Sequence, residues 1–345
     1  ERLSIDLAEG LPSFHLVVSR IFPESTPLLE QSRVSIEQLG SASTGWIGRI
    51  PEAIWCFKHR TVFLRDAKQV IYSGLYSPMA VSNQNDGKKV YYCHTPPRYA
   101  YDLSSLYKQR VPLAVRPFLS AGVSWLRREY VSALSQMDVI ITNSQNVQHR
   151  LRDNVGFESV VVHPPINVNR FRWLGDEGYF VSIARLEPNK RVDVIIKAFL
   201  QMPEQRLVVL SGGSEQESLR KLASGAPNIH FTGWQSEQKL QKWIGNARAA
   251  IYLPIDEDFG MSPVEAMAAG KPVIGVAEGG LLETIVHGET GQLLEPPPTI
   301  EDVIRAVIDL TSKHALAMRQ ACEARAQLFS REIFLEKMDF ILGAC

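Results

Sequence analysis

Short apolar runs of about four to six residues recur along the chain, separated by stretches whose apolar residues fall at helical spacing. The runs predict strands at Phe14–Val18, Val34–Leu39, Gln69–Ser73, Lys89–Cys93, Val139–Thr142 and Val160–His163. A second series predicts Tyr179–Ile183, Leu207–Ser211, Ile229–Thr232, Ala250–Leu253, Pro272–Val276 and Gln292–Leu294. Continuous apolar runs read as parallel strands covered by helices on both faces. Pro117–Ser135 is a long helical stretch, and Val192–Phe199 is a helix following the first strand of the second series. Two such series predict an α/β chain of two doubly wound, Rossmann-like domains facing a cleft. The expected division is 1–172 and 173–329, with Pro164–Leu174 as linker and an amphipathic helix over 330–345 returning to the first domain. The start departs from this plan. A doubly wound domain opens with a strand and a glycine-rich turn, whereas Glu1–Leu7 reads as helix and no Met precedes it. The expectation is that the first strand and glycine loop are lacking; a lost natural N-terminus and omitted residues are the alternatives, and whether residues precede Glu1 stays open.

Composition agrees with two cores: 345 residues, 45% hydrophobic, suit two domains of ordinary size. The zero net charge hides an uneven distribution. Residues 1–172 hold about 20 Lys/Arg and about 14 Asp/Glu, near +6, which leaves near −6 for the remainder. A basic first half suggests an anionic surface or acceptor there; chance asymmetry is the alternative. Cys56, Cys93, Cys322 and Cys345 are scattered without a C-x-x-C, so neither a disulfide scaffold nor a zinc site is indicated. No signal peptide and no apolar run long enough to cross a membrane is present.

The most informative stretch runs from Asp256 to Gly275: buried strand, acidic loop, helix, glycine stop, buried strand. Glu257 and Glu265 flank the loop-to-helix turn. A helix N-terminus attracts anions and a loop carboxylate attracts hydroxyls, which suits a ligand with phosphates at one end and a polyol at the other. Nucleotide sugars have that shape. The plainer reading makes Ser262 an N-cap, Pro263 the first helical residue and Glu265 the partner in a capping box. Likewise Asp256-Glu257-Asp258 resembles a metal motif but reads equally as a solvated loop.

Other candidates lie at strand ends, where ligands of open α/β sheets collect. Arg185 and Lys190 follow the first strand of the second domain and offer a fork and a point charge for a diphosphate; a solvated loop is the alternative. Ser211-Gly212-Gly213-Ser214 and Glu278-Gly279-Gly280-Leu281 are strand–Gly-Gly–helix turns, which allow close backbone approach or simply turn tightly. His94, in Tyr91-Tyr92-Cys93-His94-Thr95-Pro96-Pro97-Arg98, ends a buried strand and reads as structural or as facing a cleft.

Taken together, these pieces resemble the GT-B retaining glycosyltransferases of family 4. Glu257 and Glu265 match its E-x7-E signature, and Arg185 and Lys190 match its R-L-x-P-x-K element. Phe259-Gly260-Met261-Ser262-Pro263, Gly270-Lys271-Pro272-Val273-Ile274 and Gly288-Glu289-Thr290-Gly291 follow in order. Cys93 to Tyr101 is similar to the bacterial mannosyltransferases of O-antigen and exopolysaccharide synthesis. The resemblance implies donor contacts by Glu265, Asp258, Phe259, Gly260, Met261, Ser262 and Gly213, with the base near Thr232, Gly233 and Trp234. It implies that Arg185 and Lys190 neutralise the leaving diphosphate and that Glu257 and His94 meet the transferred sugar. Arg98, Tyr99, Asn143 and Arg150 fall on the acceptor side.

The implied donor is GDP-mannose, with a UDP-sugar as the alternative, and no metal or other cofactor is expected. A sugar-nucleotide epimerase, a phosphorylase and a catalytically silent binding protein are the readings from other classes. The implied acceptor is a saccharide, lipid-linked in the resembling subgroup; nucleic acid is not a partner. Tyr107–Leu119 and Trp125-Leu126-Arg127-Arg128 mix basic and apolar groups, which suits an anionic membrane surface or an ordinary helix packed on the sheet. The expected location is cytoplasmic, peripheral on the inner face of the cytoplasmic membrane.

Overall fold

A computed structural model describes residues 2–11, 14–21, 32, 34–40, 46–109 and 111–343. Glu1, Arg110 and the last two residues, Ala344 and Cys345, lie outside the described residues. The chain divides into two compact units, Glu1–His163 and Pro164–Cys345.

The first unit contains α1 (Arg2–Gly10), β1 (Leu16–Val18), β2 (Ile36–Gln38), α2 (Trp46–His59), β3 (Gln69–Ser73), β4 (Lys88–Cys93), α3 (Ser104–Gln109), α4 (Arg116–Leu134), β5 (Val139–Thr142), α5 (Gln145–Val155) and β6 (Val160–Val161). Strands β3-β4-β5-β6 form a parallel sheet in that order, and β1 and β2 pair as a separate parallel ribbon. The sheet is centred on β4, whose last four residues, Val90–Cys93, are buried because both faces are covered. Tyr91 and Tyr130 share a hydroxyl hydrogen bond of 3.0 Å, so the polar ends of two core tyrosines satisfy each other.

The second unit follows with β7 (Tyr179–Ser182), α6 (Val192–Leu200), β8 (Arg206–Leu210), α7 (Gln216–Leu222), β9 (Ile229–Gly233), α8 (Glu237–Asn246), β10 (Ala249–Ile251), α9 (Met261–Ala268), β11 (Val273–Val276), α10 (Leu281–Thr284), β12 (Gly291–Leu294), α11 (Ile300–Asp309), α12 (Ser312–Gln327) and α13 (Arg331–Leu342). Its six strands are parallel in the order β12-β11-β10-β7-β8-β9. The direction of winding therefore reverses between β7 and β10, which places a topological switch point at their C-terminal ends. Strands β7, β10 and β11 are buried at every position, as their unbroken apolar sequences require.

Pro164–Leu174, which reads as linker in the sequence, packs within this second unit. Ile166, Val168 and Phe171 belong to its core, and Ile166 N donates to Phe329 O at 2.9 Å. Lys271 is fully buried, with its ammonium 3.2 Å from the Trp173 ring centroid. Burial lowers its pKa to about 7, with Asp176 opposing and Arg319 adding to the shift.

The capping-box reading of α9 fails. The helix starts two residues earlier than that reading requires, at Met261 after Gly260, which adopts φ 92° and supplies no side-chain cap. Ser262 and Pro263 are inside the first turn. Glu265 stands too far along the helix to cap its start.

Candidate active site

At the switch point the loop after β7 forms a single 3-10 turn, Pro188–Lys190, and passes into α6 through Arg191 at φ 51°. This turn presents Lys190 to the acidic loop after β10. Lys190 Nζ donates to Glu257 Oε2 at 2.5 Å and to the Tyr252 hydroxyl at 3.2 Å. Arg191 pairs with Glu278 from the turn after β11 and donates to Pro254 O at 3.3 Å. Two neighbouring cations thus tie three strand-end loops together. Arg185 is exposed.

Tyr252, buried at the end of β10, reports how these groups converge. Its hydroxyl pKa is raised, by burial first and then by the charge and hydrogen bond of Glu257. Arg185 acts on it in the opposite direction, and Glu265 in the same direction as Glu257. The sequence reading missed Tyr252 because it completes an apolar run and counts there as core; its hydroxyl was the available signal.

The glycine turns are packing requirements as well as loops. A Cβ on Gly213 would lie 2.3 Å from Leu186 O, and one on Gly279 would lie 2.6 Å from Glu257 O. Gly280 would bring one to 2.5 Å of Phe259 Cα, and its amide donates to Glu257 O at 2.7 Å. Real side chains do not approach backbone this closely, so Gly213 lets the loop after β8 press on the loop after β7, and Gly279 and Gly280 let the loop after β11 press on the loop after β10. Glu187 accepts from Ser214 N and Oγ at 3.2 and 2.6 Å, and those bonds lower its pKa.

The remaining donor-side candidates surround this cluster. Phe259 is buried edge-on against Phe329, with centroids 5.3 Å apart, so its side chain is structural. Asp258 and Ser262 are half-buried and Met261 is exposed beside them. The indole of Trp234 lies across Gly212, within 2.6 Å of where a Cβ would be, and is 70% exposed. Thr232 Oγ1 bonds Gly233 O at 3.0 Å. A helix start without a side-chain cap, a paired lysine and carboxylate, and an exposed indole can together receive phosphates, hydroxyls and a planar base.

In the first unit, His94 follows β4 and shares a hydrogen bond of 3.1 Å with Ser73 Oγ through Nε2. Its ring sits 5.1 Å from that of Tyr92. Some of its surface is exposed, yet burial lowers the pKa to about 4, so the imidazole is neutral at pH 7. Arg98 Nε pairs with Asp102 at 2.9 Å, and Tyr99 shares a 3.0 Å hydroxyl bond with Tyr76. Asn143 is buried and accepts from Ser144 Oγ at 3.2 Å. Arg150 is buried and bonds Thr95 Oγ1 at 3.0 Å. Ser73, Asp102 and Thr95 were not singled out in the sequence. Among the described residues, no group of three or more His, Cys, Asp or Glu could hold a metal ion, and no helix is long and apolar enough to cross a membrane.

Known proteins share this chain's sequence pattern and fold. Residues 165–328 match the family model described as glycosyl transferases group 1. The solved structure of Anabaena HepE in complex with UDP and glucose superimposes with a TM-score of 0.75 at 16% identity, covering 100% of this chain and 95% of that one. The chain is a glycosyltransferase of the GT-B fold. Within that class it resembles mannosyltransferases. It is 28% identical to alpha-1,3/1,6-mannosyltransferase ALG2 of Mus musculus, over 98% of this chain and 91% of the relative. The Dictyostelium discoideum ALG2 is also 28% identical, over 64% of this chain and 61% of its own length.

Proposed function

We propose that the protein transfers mannose from GDP-mannose, with retention at the anomeric carbon, onto a lipid-linked saccharide. The observation that carries the reading is Lys190 held between Glu257 and Tyr252 at the switch point. The mouse mannosyltransferase relative supports mannose as the sugar.

Arg185 and Lys190 receive the diphosphate, Glu265 the ribose hydroxyls, and the Thr232–Trp234 turn the base. Glu257 and His94 are assigned to the transferred sugar. Arg98, Tyr99, Asn143 and Arg150 are assigned to the acceptor. The acceptor hydroxyl oxygen bonds to the anomeric carbon as the bond from that carbon to the diphosphate breaks. The hydroxyl proton passes to the departing phosphate, so no enzymic nucleophile is needed. Catalysis is then positional and electrostatic. The cations supply the charge that a metal would, so activity should survive EDTA; loss restored by Mg²⁺ or Mn²⁺ overturns that part.

A UDP-sugar donor is the second reading, supported by the UDP and glucose of the HepE complex. A thermal-shift screen against GDP-, UDP- and ADP-sugars, followed by transfer assays with those that bind, decides between them. Stabilisation by UDP-sugars alone would refute GDP-mannose.

The location proposed is the cytoplasmic face of a membrane. On α4, Phe118 is 79% exposed and Trp125 40% exposed, and their spacing of seven puts them on one face. Leu113 precedes them at 75% exposure. Trp55 on α2 is also exposed, with Arg60 5.3 Å from its ring, and Lys58 lies 5.8 Å from the Trp125 ring. Aromatic groups ringed by cations suit an anionic bilayer surface. Arg127, exposed like Arg128, also donates to Ala100 O at 2.6 Å and covers the Tyr101 ring, so both arginines add charge to this surface.

A further inference from the structure

Lys190, Glu257 and Tyr252 close a triangle whose bond directions follow from their protons. Lys190 Nζ, a donor only, gives one bond to Glu257 Oε2 at 2.5 Å and another to the Tyr252 hydroxyl at 3.2 Å. The ammonium also lies 5.4 Å from the Tyr252 ring centroid. A hydroxyl that accepts from an ammonium keeps its own proton to give, and Tyr252 gives it to the Glu257 carboxylate.

Of the three, Tyr252 has the firmest seat. It follows directly on β10 and is 5% exposed, and its amide donates to Ile274 O of β11 at 2.9 Å. A ring packed on all sides keeps its torsions. Lys190 and Glu257 stand on loops, one of them a single 3-10 turn. A diphosphate that draws Lys190 away breaks the two sides of the triangle that the ammonium makes. The third side, from Tyr252 to Glu257, does not involve the ammonium and survives the exchange.

We propose that Tyr252 is a positioning residue for sugar transfer: its hydroxyl holds Lys190 before the donor arrives and keeps the Glu257 carboxylate oriented once Lys190 has turned to the diphosphate. This rests on the function proposed above, which gives the diphosphate to Lys190 and the sugar to Glu257. Glu257 makes other contacts as well, so the test measures the hydroxyl with and without the carboxylate.

Tyr252→Phe keeps the ring and removes only the hydroxyl. The resting state then loses two hydrogen bonds and the nucleotide-bound state loses one. Calorimetry should therefore show GDP or UDP bound about 2- to 10-fold more tightly, the scale of one hydrogen bond. Turnover at saturating donor, read as GDP released from GDP-mannose or UDP from UDP-glucose, should fall about tenfold or more, the scale of a misplaced group. Tighter binding with slower turnover is the signature; a hydroxyl that only packs predicts neither. Weaker nucleotide binding, or parental turnover, overturns the role. In a Glu257→Gln background, adding Tyr252→Phe should cost no further turnover, because the carboxylate it orients is gone; an additive loss overturns positioning. If Tyr252→Phe fails to fold, Tyr252→3-fluorotyrosine serves. Its hydroxyl is a weaker acceptor and a stronger donor, so nucleotide binding should tighten while turnover is kept, and weaker binding overturns the role. If Glu257→Gln alone transfers at the parental rate, the assignment of Glu257 to the sugar fails and the role of Tyr252 falls with it. If Glu257→Gln slows transfer and Tyr252→Phe does not, the proposed function stands and positioning alone falls.

Discussion

A diphosphate that binds Lys190 must take it from Glu257. Lys190 Nζ stands 2.5 Å from the carboxylate, and the two side chains are 12% and 21% exposed. At an effective dielectric near 20, unit charges about 4 Å apart attract by about 4 kcal/mol. Hydrogen bonds to charged groups nevertheless contribute only about 1.5–3 kcal/mol net, and partial exposure lowers this further to about 1–2 kcal/mol. Glu257→Gln removes the competing charge while keeping size and an acceptor for Tyr252. It should therefore bind the free nucleoside diphosphate about 5- to 30-fold more tightly, the factor that 1–2 kcal/mol represents. Transfer should slow, because the carboxylate assigned to the sugar is gone. Lys190→Ala should lower turnover by about 10²–10³, the scale for one preorganised charge stabiliser. Calorimetry with GDP and UDP, beside steady-state transfer rates, reads both effects. A folded Glu257→Gln variant whose affinity is unchanged or weaker would refute the exchange.

Glu265→Gln should weaken nucleoside diphosphate binding by about 1–3 kcal/mol, and since α9 starts at Met261 after Gly260, lost capping cannot explain the change; an unaltered dissociation constant makes Glu265 structural. Because the folded pKa of His94, about 4, lies below its unfolded value near 6.5, its contribution to stability is full above about pH 6.5 and is lost as pH falls through about 4. The loss is at most roughly 3 kcal/mol, and His94→Gln should flatten the pH dependence of urea unfolding over that window; parallel curves would count against a buried neutral imidazole. Leu113→Glu with Phe118→Glu should release the protein from anionic liposomes at low salt while sparing nucleotide affinity, and equal co-sedimentation would place the membrane surface elsewhere.

The strands were legible because burial on both faces leaves a continuous apolar run, as in Tyr179–Ser182 and Val273–Val276, and little else produces one. The start of α9 was not, although its glycine stop was: the helix ends at Ala268 and Gly270 is left-handed. Ser262 and Glu265 have the spacing of a capping box, but Gly260 reaches a left-handed conformation that lets the helix begin sooner. Arg185, Lys190, Glu257 and Glu265 could be named from local pattern and family resemblance. Tyr252 could not, because its importance lies in contacts across the fold. Tyr252 meets Lys190 from 62 positions away. Arg127, exposed as its charge suggests, also reaches back to Ala100 O and the Tyr101 ring, contacts that sequence spacing does not reveal.

The glycine pair after β11 gives the proposed donor pocket an unusual kind of control. Gly279 and Gly280 fit against Glu257 and Phe259 with no room for a methyl group, and the opposing atoms are backbone, which cannot swing aside. The position of the acidic loop is therefore dictated from a neighbouring turn that carries no side chain of its own. A change of sugar preference need not begin at a residue that touches sugar. Displacing this turn by a few tenths of an ångström would carry the Glu257 carboxylate with it, making the turn a remote adjustment point for a site whose contacting residues stay the same.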